Sequence, residues 1–192
     1  QVARMDGNSW AVSSRGFNSE FSNKLLVLID GRSVYTPLTS GVSWSRQDIM
    51  LEDIDRIEVI RGPGATIWGA NAVNGIINII TKSATETDGT YLSGHSGNEE
   101  QGVGNVRVGG SGGDTAHYRV YGKYTDRDGQ KNSAGADLEN DWDSQRGGFR
   151  IDSNYSNSDE LMLQGEMYRS NLGNTSFSYS GARTDSKAGF HG

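Results

Sequence analysis

The chain has 192 residues and a formal net charge of −6, with 33% hydrophobic and 22% charged residues and 27 glycines. Disorder requires few apolar residues together with a strong net charge, so this composition, whose apolar residues are clustered, predicts a folded chain. The absence of cysteine excludes disulfides and thiolate metal sites, and the absence of a basic stripe argues against nucleic acid as a partner. The sequence shows neither a long apolar run that predicts a transmembrane helix nor a signal peptide, and we expect it to be part of a longer protein.

Up to about residue 85, short apolar runs are separated by turn signals. Three of these runs predict strands that are buried on both faces: LLVLI (25–29), IEVI (57–60) and IINII (76–80). The pair Asp30-Gly31 follows the first run and predicts a tight turn into a returning strand. Apolar positions at helical spacing predict a short helix over residues 45–54. This part of the chain is therefore predicted to be an α+β unit with about four strands.

After the polar stretch at 81–90, apolar and polar residues alternate. In FRIDSNY, for example, Phe149, Ile151 and Tyr155 share one face of a predicted strand, and charged or polar residues share the other. We predict five such amphipathic strands, over residues 90–97, 104–110, 117–125, 149–155 and 160–170.

The connections between these strands differ in length. Residues 111–114 and 156–159 predict tight turns, whereas 126–143 is long, polar and acidic. The tail from Asn171 is a further polar stretch rich in glycine and serine. Tight turns at one end and long loops at the other are typical of outer-membrane barrels.

Two architectures fit amphipathic strands joined in this way. In a soluble sandwich or barrel the apolar face points inward, whereas in an outer-membrane barrel it points to lipid and the polar face lines a watery interior. The two hypotheses differ over Tyr118, Val120, Leu161 and Leu163, which are buried in the first and lipid-facing in the second. The alternation alone leaves both open.

Two segments, 13–35 and 51–82, closely resemble the plug domain of TonB-dependent outer-membrane receptors. The matching elements, in the order and spacing of that family, are Arg-Gly-Phe at 15–17, LVLIDG at 26–31, IEVIRGP at 57–63, WGANAVNG at 68–75 and INIITK at 77–82. The resemblance implies an α+β plug with a small mixed sheet over residues 1–85. It implies that residues 86–192 are the first five or so antiparallel β-meander strands of an incomplete outer-membrane β-barrel. In that family the complete barrel has about 22 strands and a plugged lumen.

The same resemblance implies a function. The protein is expected to be an active transporter in the outer membrane of a Gram-negative bacterium, in contact with outer-membrane lipid. It would bind and import a scarce solute such as an iron–siderophore, haem or cobalamin. Its expected energy source is the TonB complex of the inner membrane, whose contact segment we expect to lie outside this chain. The alternative is a soluble or surface-exposed β-rich binding or adhesion module without transport activity.

Six residues become candidates through the resemblance. Arg15 and Arg61 match plug arginines that are expected to pair with acidic residues of the barrel, because an unpaired buried charge is costly. The alternative is that they cap strand ends at a solvated surface. Four residues in outward-facing plug loops are expected ligand contacts, since aromatic rings with polar tips suit chelate surfaces: Asn18, Phe21, Tyr35 and Trp44. For Tyr35 and Trp44, packing against the plug or the barrel wall is an equal alternative.

Signals for catalysis and for metal binding are weak. RGPGATIWG lacks the Gly-Lys-Ser/Thr ending of a phosphate loop, and GGSGG, at 109–113, lies in a predicted hairpin turn without a following helix. The three histidines are scattered, and the aspartates of 126–143 miss the spacing of a calcium loop, which favours a solvated acidic loop. We therefore expect neither an enzyme nor a metal site nor a cofactor.

Overall fold

The computed structural model describes residues 1–5, 7–14, 24–36, 41–69, 71–154, 160–177 and 183–191, with the backbone alone for 174–177 and 183–191. The chain divides into two units, Gln1–Lys82 and Ser83–Gly192. The domain bounds of 1–85 and 86–192 remain a prediction.

The first unit contains two small sheets. Strands β1 (Val2–Arg4) and β2 (Trp10–Val12) form an antiparallel hairpin. Four further strands form a mixed sheet in the order β4-β3-β6-β5. They are β3 (Leu25–Ile29), β4 (Arg32–Ser33), β5 (Ile54–Arg61) and β6 (Gly75–Thr81). Strands β3 and β6 run parallel, and the other two pairs are antiparallel. The predicted small mixed sheet is therefore confirmed.

Strand β3 is buried along its whole length, as its unbroken apolar run predicts. Its alternate side chains enter two clusters on opposite faces of the sheet. One contains Leu25, Val27, Ile29, Val34, Val42 and Ile79, and the other contains Leu26, Leu28, Ala72 and Ile76. Each fully buried aliphatic side chain of this size contributes about 1.5–3 kcal/mol to folding. This strand and β6 therefore form the centre of the unit.

The predicted Asp30-Gly31 turn is also confirmed. Both residues have positive φ angles, 48° and 79°, as a two-residue hairpin of the favoured hand requires. The turn reverses the chain into β4, so that Leu28 pairs with Ser33 and Ile29 with Arg32.

Two predictions for this unit are wrong. Residues 45–54 do not form one helix: two single 3-10 turns, Trp44–Arg46 and Leu51–Asp53, occupy this region, and Ile54 already begins β5. A short helix, α1 (Ala65–Trp68), was not predicted. Strand β5 is not buried on both faces, since Ile57 and Val59 are more than half exposed. The reason is its position, because β5 is an edge strand of the described sheet, and composition alone cannot separate an edge strand from a central one.

The second unit begins with a 3-10 turn, Thr85–Thr87, and continues as an antiparallel meander. Each strand pairs with the next along the chain, in the order β12-β11-β10-β9-β8-β7. The strands are β7 (Gly89–His95), β8 (Glu100–Ser111), β9 (Ala116–Arg127), β10 (Trp142–Asn154), β11 (Glu160–Phe177) and β12 (Arg183–His191). No helix in the described residues is long and apolar enough to cross a bilayer.

The described meander has six strands where five were predicted. Strand β11 continues past Ser170 to Phe177, and β12 lies in the tail that was predicted to be a polar stretch. The sequence of β12, RTDSKAGFH, lacks the apolar alternation on which the prediction depended. Its pairing with β11, from Arg169–His191 to Phe177–Arg183, supplies backbone hydrogen bonds that no single-strand pattern reveals.

Aromatic rings cover glycines on neighbouring strands of this sheet. A Cβ atom added to Gly148 would lie 2.7 Å from the Tyr121 ring, and one added to Gly165 would lie 2.8 Å from the Phe149 ring. At Gly110 the nearest atom would be the Tyr118 hydroxyl oxygen, at 3.1 Å. These glycines leave the space into which the rings fold.

Candidate functional site

One face of the second unit's sheet, the apolar face, carries large exposed hydrophobic side chains. It consists of Leu92, Val106, Val108, Tyr118, Val120, Tyr124, Phe149, Leu161, Leu163 and Met167. The four residues that separate the two architectures are exposed to 40% (Tyr118), 54% (Val120), 53% (Leu161) and 53% (Leu163). A soluble sandwich requires these side chains to lie in its core. The observed placement is the one expected of strands that face lipid.

The opposite face, the polar face, carries cations interleaved with aromatic rings. It includes Tyr91, Arg107, Arg119, Tyr121, Lys123, Arg127, Trp142, Arg146, Arg150, Asp152, Glu166 and Tyr168, whose shared side follows from the strand registers. Three arginines stack on rings of adjacent strands: the distance from Cζ to the ring centroid is 4.9 Å for Arg146 on Tyr168, 5.3 Å for Arg107 on Tyr91 and 5.5 Å for Arg127 on Trp142.

A largely enclosed ion pair of the polar face joins Arg146 to Glu166. The Arg146 side chain is 1% exposed, and its Nη1 donates a hydrogen bond of 2.7 Å to Glu166 Oε2. The Tyr121 hydroxyl donates to the same oxygen over 3.4 Å. A charge held in this way needs its partner, because removing one member of a buried pair leaves the other uncompensated. The hydrogen bonds of Glu166 therefore hold charged side chains in place on the polar face, which is the face that lines the watery interior of an outer-membrane barrel.

In the first unit, Arg61 is the last residue of β5 and is exposed. The chain then turns through Gly62, which has a φ angle of 120°. Gly62 N–H donates to the Asn74 carbonyl over 3.3 Å, and Gly64 N–H donates to the Ala72 carbonyl over 2.8 Å. No carboxylate of the described residues forms an ion pair with Arg61. The Arg61 side chain therefore lies exposed at the end of β5, directly before the turn.

Tyr35 and Trp44 lie on the two sides of the bridge between Thr36 and Gly41. Tyr35 is half-buried, and its backbone N–H donates to Ser33 Oγ over 3.4 Å. Trp44 begins a 3-10 turn and packs against the buried cluster around Val27. The structure therefore brings the two aromatic residues to one segment, with the Trp44 ring engaged in packing.

Three of the predicted site residues, Arg15, Asn18 and Phe21, lie outside the described residues. Conversely, sequence reasoning did not single out Tyr121, Arg146, Asp152 or Glu166. The alternating pattern assigned Tyr121, Asp152 and Glu166 to a polar face, whereas Arg146 lay outside the predicted strands. Only the register between strands shows that these residues share one face. A signal was available in the arginines that recur on that face of the predicted strands: Arg107, Arg119 and Arg150.

No group of three or more potential metal ligands occurs in the part of the chain that the structure describes. A small mixed sheet followed by an antiparallel meander with one exposed apolar face defines the class by its fold: a plug-like sheet followed by antiparallel strands of an incomplete β-barrel.

Comparison with known proteins shows what the chain resembles. Residues 1–76 match the family model described as TonB-dependent Receptor Plug Domain. The chain is 37% identical over 95 residues to the vitamin B12 transporter BtuB of Vibrio vulnificus (strain CMCP6), covering 50% of this chain and 15% of that protein. It is 34% identical over 133 residues to the probable TonB-dependent siderophore receptor PirA of Acinetobacter baumannii, covering 62% and 17%. Among solved structures, the copper transporter OprC superposes with a TM-score of 0.68 at 18% identity, covering 97% of this chain and 29% of that one.

The chain is similar to the TonB-dependent receptors over their plug domain, which the family model matches at residues 1–76, and over their early strands. The homologues are outer-membrane receptors of Gram-negative bacteria. The chain spans less than a fifth of the length of the two curated relatives described above.

Proposed function

We propose that this chain is the plug and the opening strands of an active importer of a scarce solute such as an iron–siderophore, haem or cobalamin. The observation that carries the proposal is the opposition of two faces in one sheet. Tyr118, Val120, Leu161 and Leu163 point to one side in the open, while Arg146 and its neighbours are enclosed on the other. A strand that separates lipid from a polar lumen needs this arrangement.

The relatives support import as the activity. Their names describe transporters or receptors for vitamin B12, siderophores and copper, and not catalysts. The outer membrane holds no nucleotide pool, so we propose that the TonB complex supplies the work by pulling on the plug, through a segment outside this chain. Binding and transport, without catalysis or a resident cofactor, is the proposed role.

The ligand is proposed to meet the plug at Asn18, Phe21, Tyr35 and Trp44. Among these, Tyr35 is half-buried and retains exposed surface, whereas Trp44 packs against the sheet and would support the segment from below. Arg61 is proposed to pair with a carboxylate of the barrel, as is Arg15. Its exposed place at the end of β5 leaves the guanidinium accessible to such a partner.

Growth of a strain that lacks the full-length receptor tests the proposal. Under iron limitation, with one iron–siderophore or haem supplied as the iron source, growth should depend on the receptor and on TonB for one ligand class. A cobalamin-dependent strain tests the third class. Tyr35→Ala should weaken binding of that ligand, whereas Leu51→Ala, at an exposed position of the same unit, should not. Growth that is equal with and without the receptor for every ligand would contradict import.

A second measurement separates this function from that of a soluble adhesion module. In the full-length protein, photoactivatable phospholipids should label the apolar face around Val120 and Leu163 and not the polar face around Arg119 and Gln164. A protein that stays monodisperse without detergent and takes no lipid label would favour the adhesion module.

A further inference from the structure

The segment that opens the second unit, residues 83–88, is named the linker here. It contains the 3-10 turn Thr85–Thr87, and two of its side chains are fully enclosed, with Ala84 0% and Thr87 1% exposed. Connecting segments ordinarily run over a protein surface. This burial shows that the linker is built into the sheet that follows it.

A charged group on β10 holds the linker. Asp152 Oδ2 accepts a hydrogen bond of 2.6 Å from the backbone N–H of Ala84, 68 residues away in sequence. Arg150 Nε donates to both Asp152 oxygens, at 3.0 and 2.8 Å, and so fixes the carboxylate. Hydrogen bonds to an ionised acceptor are the stronger ones. The Asp152 contact therefore orders the linker backbone.

A glycine on β8 makes room for the linker. A Cβ atom added to Gly109 would lie 2.2 Å from the Thr87 carbonyl oxygen and 2.9 Å from its carbonyl carbon. These are backbone atoms, which cannot move aside as a flexible side-chain end does. The Thr87 hydroxyl donates back to the carbonyl of Ala84, at 3.0 Å, so it needs no partner outside the linker. Close approach of the linker to β8 therefore depends on the missing side chain at 109.

The hydrogen-bond partners of the chain change from the first unit to the second between Lys82 and Ala84. Lys82 N–H donates to the Asp53 carbonyl and Lys82 Nζ to the Glu52 carbonyl, both over 2.8 Å and both within the first unit. Ala84 is bonded to Asp152 within the second unit. Between them, the N–H and hydroxyl of Ser83 donate to Glu86 of the linker itself, each over 2.8 Å. Ser83 is thus the point at which the chain passes from one set of anchors to the other.

We propose that Asp152, oriented by Arg150, and Gly109 form a pin that keeps the linker on the strand sheet while the plug is displaced during transport. The displaced segment then ends at Ser83, and the pull on the plug is not passed into β7. These are positioning residues, and the inference rests on the proposed TonB-driven import.

The test uses single cysteines in the full-length receptor, with any other cysteine replaced by serine, since this part of the chain has none. Thr87→Cys reports on the linker, and Ala11→Cys, at a buried position of β2, reports on the plug. Maleimide labelling is measured in cells with ligand, with and without a protonophore. The linker reporter is combined in turn with Asp152→Ala, Asp152→Asn and Gly109→Ala, and retained ligand binding shows that a variant is folded.

The thiol introduced by Thr87→Cys should stay protected in energised and de-energised cells alike. Asp152→Ala should raise its labelling rate about ten- to a hundredfold, because the linker opens locally when its anchor is lost. Asp152→Asn should raise it less, since the amide oxygen still accepts from Ala84, and Gly109→Ala should act like Asp152→Ala.

Two results would overturn the pin. One is labelling of the Thr87→Cys reporter in energised cells at the rate seen with Asp152→Ala, and the other is no effect of Asp152→Ala and Gly109→Ala. A different result would contradict the proposed function. If Ala11→Cys is not labelled faster in energised cells, TonB-driven displacement is contradicted, while the effect of Asp152→Ala in resting cells still decides whether the pin exists.

Discussion

Thr81 donates two hydrogen bonds to the carboxylate of Asp30, 51 residues earlier in the chain: one from its backbone N–H and one from its hydroxyl, each 2.8 Å long. Asp30 occupies the turn after β3, and Thr81 ends β6. Because these two strands are parallel, no hairpin joins them. The Asp30 side chain instead links the end of β3 to the end of β6.

Replacing Asp30 tests this link. Asp30→Ala removes both acceptors and should destabilise the first unit by about 1–3 kcal/mol, since the Thr81 donors lose their partner. Asp30→Asn keeps one acceptor oxygen and tolerates the positive φ angle of this position, so it should cost less. Hydrogen exchange of the β6 amides in the full-length receptor measures the difference. Unchanged exchange at Thr81 in Asp30→Ala would refute the link.

Gly75 gives a second prediction. A Cβ atom there would lie 2.7 Å from the carbonyl oxygen of Ile60 on the paired strand. Gly75→Ala should therefore force the backbones of β5 and β6 apart, at a cost of about 1–3 kcal/mol. Gly64→Ala is the matched control, because its nearest neighbour at 2.8 Å is the end of the flexible Ile76 side chain. The midpoint temperature of thermal unfolding should be lower for Gly75→Ala than for Gly64→Ala, and the reverse order would contradict this account.

The two faces of the meander predict opposite responses to the same charge. Val120→Glu places a carboxylate on the apolar face and should destabilise the folded receptor by about 1 kcal/mol or more, below the ~2–4 kcal/mol of an arginine at mid-membrane. Gln164→Glu adds the same charge on the polar face, where Gln164 pairs with Arg150, and should be neutral or stabilising. Urea titration of folding into lipid vesicles compares the two. Equal losses would show that Val120 does not face lipid.

The edge strand β5 predicts a pH dependence. Glu58 accepts hydrogen bonds from Arg56 at 2.8 Å and from Asn78 at 3.1 Å, and these lower the pKa of Glu58 below its ordinary value of 4.5. Because the pKa of Glu58 is lower in the folded state than in the unfolded state, its ionised carboxylate stabilises the folded state at pH values above the unfolded pKa. This stabilisation is lost as the pH falls through the folded-state pKa. The stability difference between the native protein and Glu58→Gln should thus be constant near neutral pH and shrink below pH 4.5.

Hydrogen exchange of β5 and β6 as a function of pH checks this dependence. Glu52→Gln removes one carboxylate from the same unit without touching either hydrogen bond of Glu58, and serves as the control. A stability difference between the native protein and Glu58→Gln that grows on acidification would contradict the lowered pKa of Glu58.

Periodicity and turn chemistry were sufficient where local sequence decides the structure. The buried run of β3, the Asp30-Gly31 turn and the alternation that places Val120 and Arg119 on opposite faces were all predictable. Local patterns failed where a neighbour decides: the edge position of β5 exposes Ile57, and pairing with β11 makes a strand of the polar β12.

The candidate site divides in the same way. The polar character of Arg146 and Glu166 was visible in the sequence, but their contact requires the register of β10 against β11. The pin was hidden for the same reason, since Asp152 and Ala84 are far apart in the sequence. The roles of Arg15, Asn18, Phe21, Tyr35, Trp44 and Arg61 remain predictions.

The rings that fold over Gly110, Gly148 and Gly165 have an evolutionary consequence. Where a ring on one strand occupies the space above a glycine on the next, neither position can change freely while the other stays as it is. Across homologous sequences, gain of a bulky residue at 148 should accompany loss of the ring at 121, and likewise for 165 with 149 and 110 with 118. Such paired changes would record in the sequences alone which strands are neighbours.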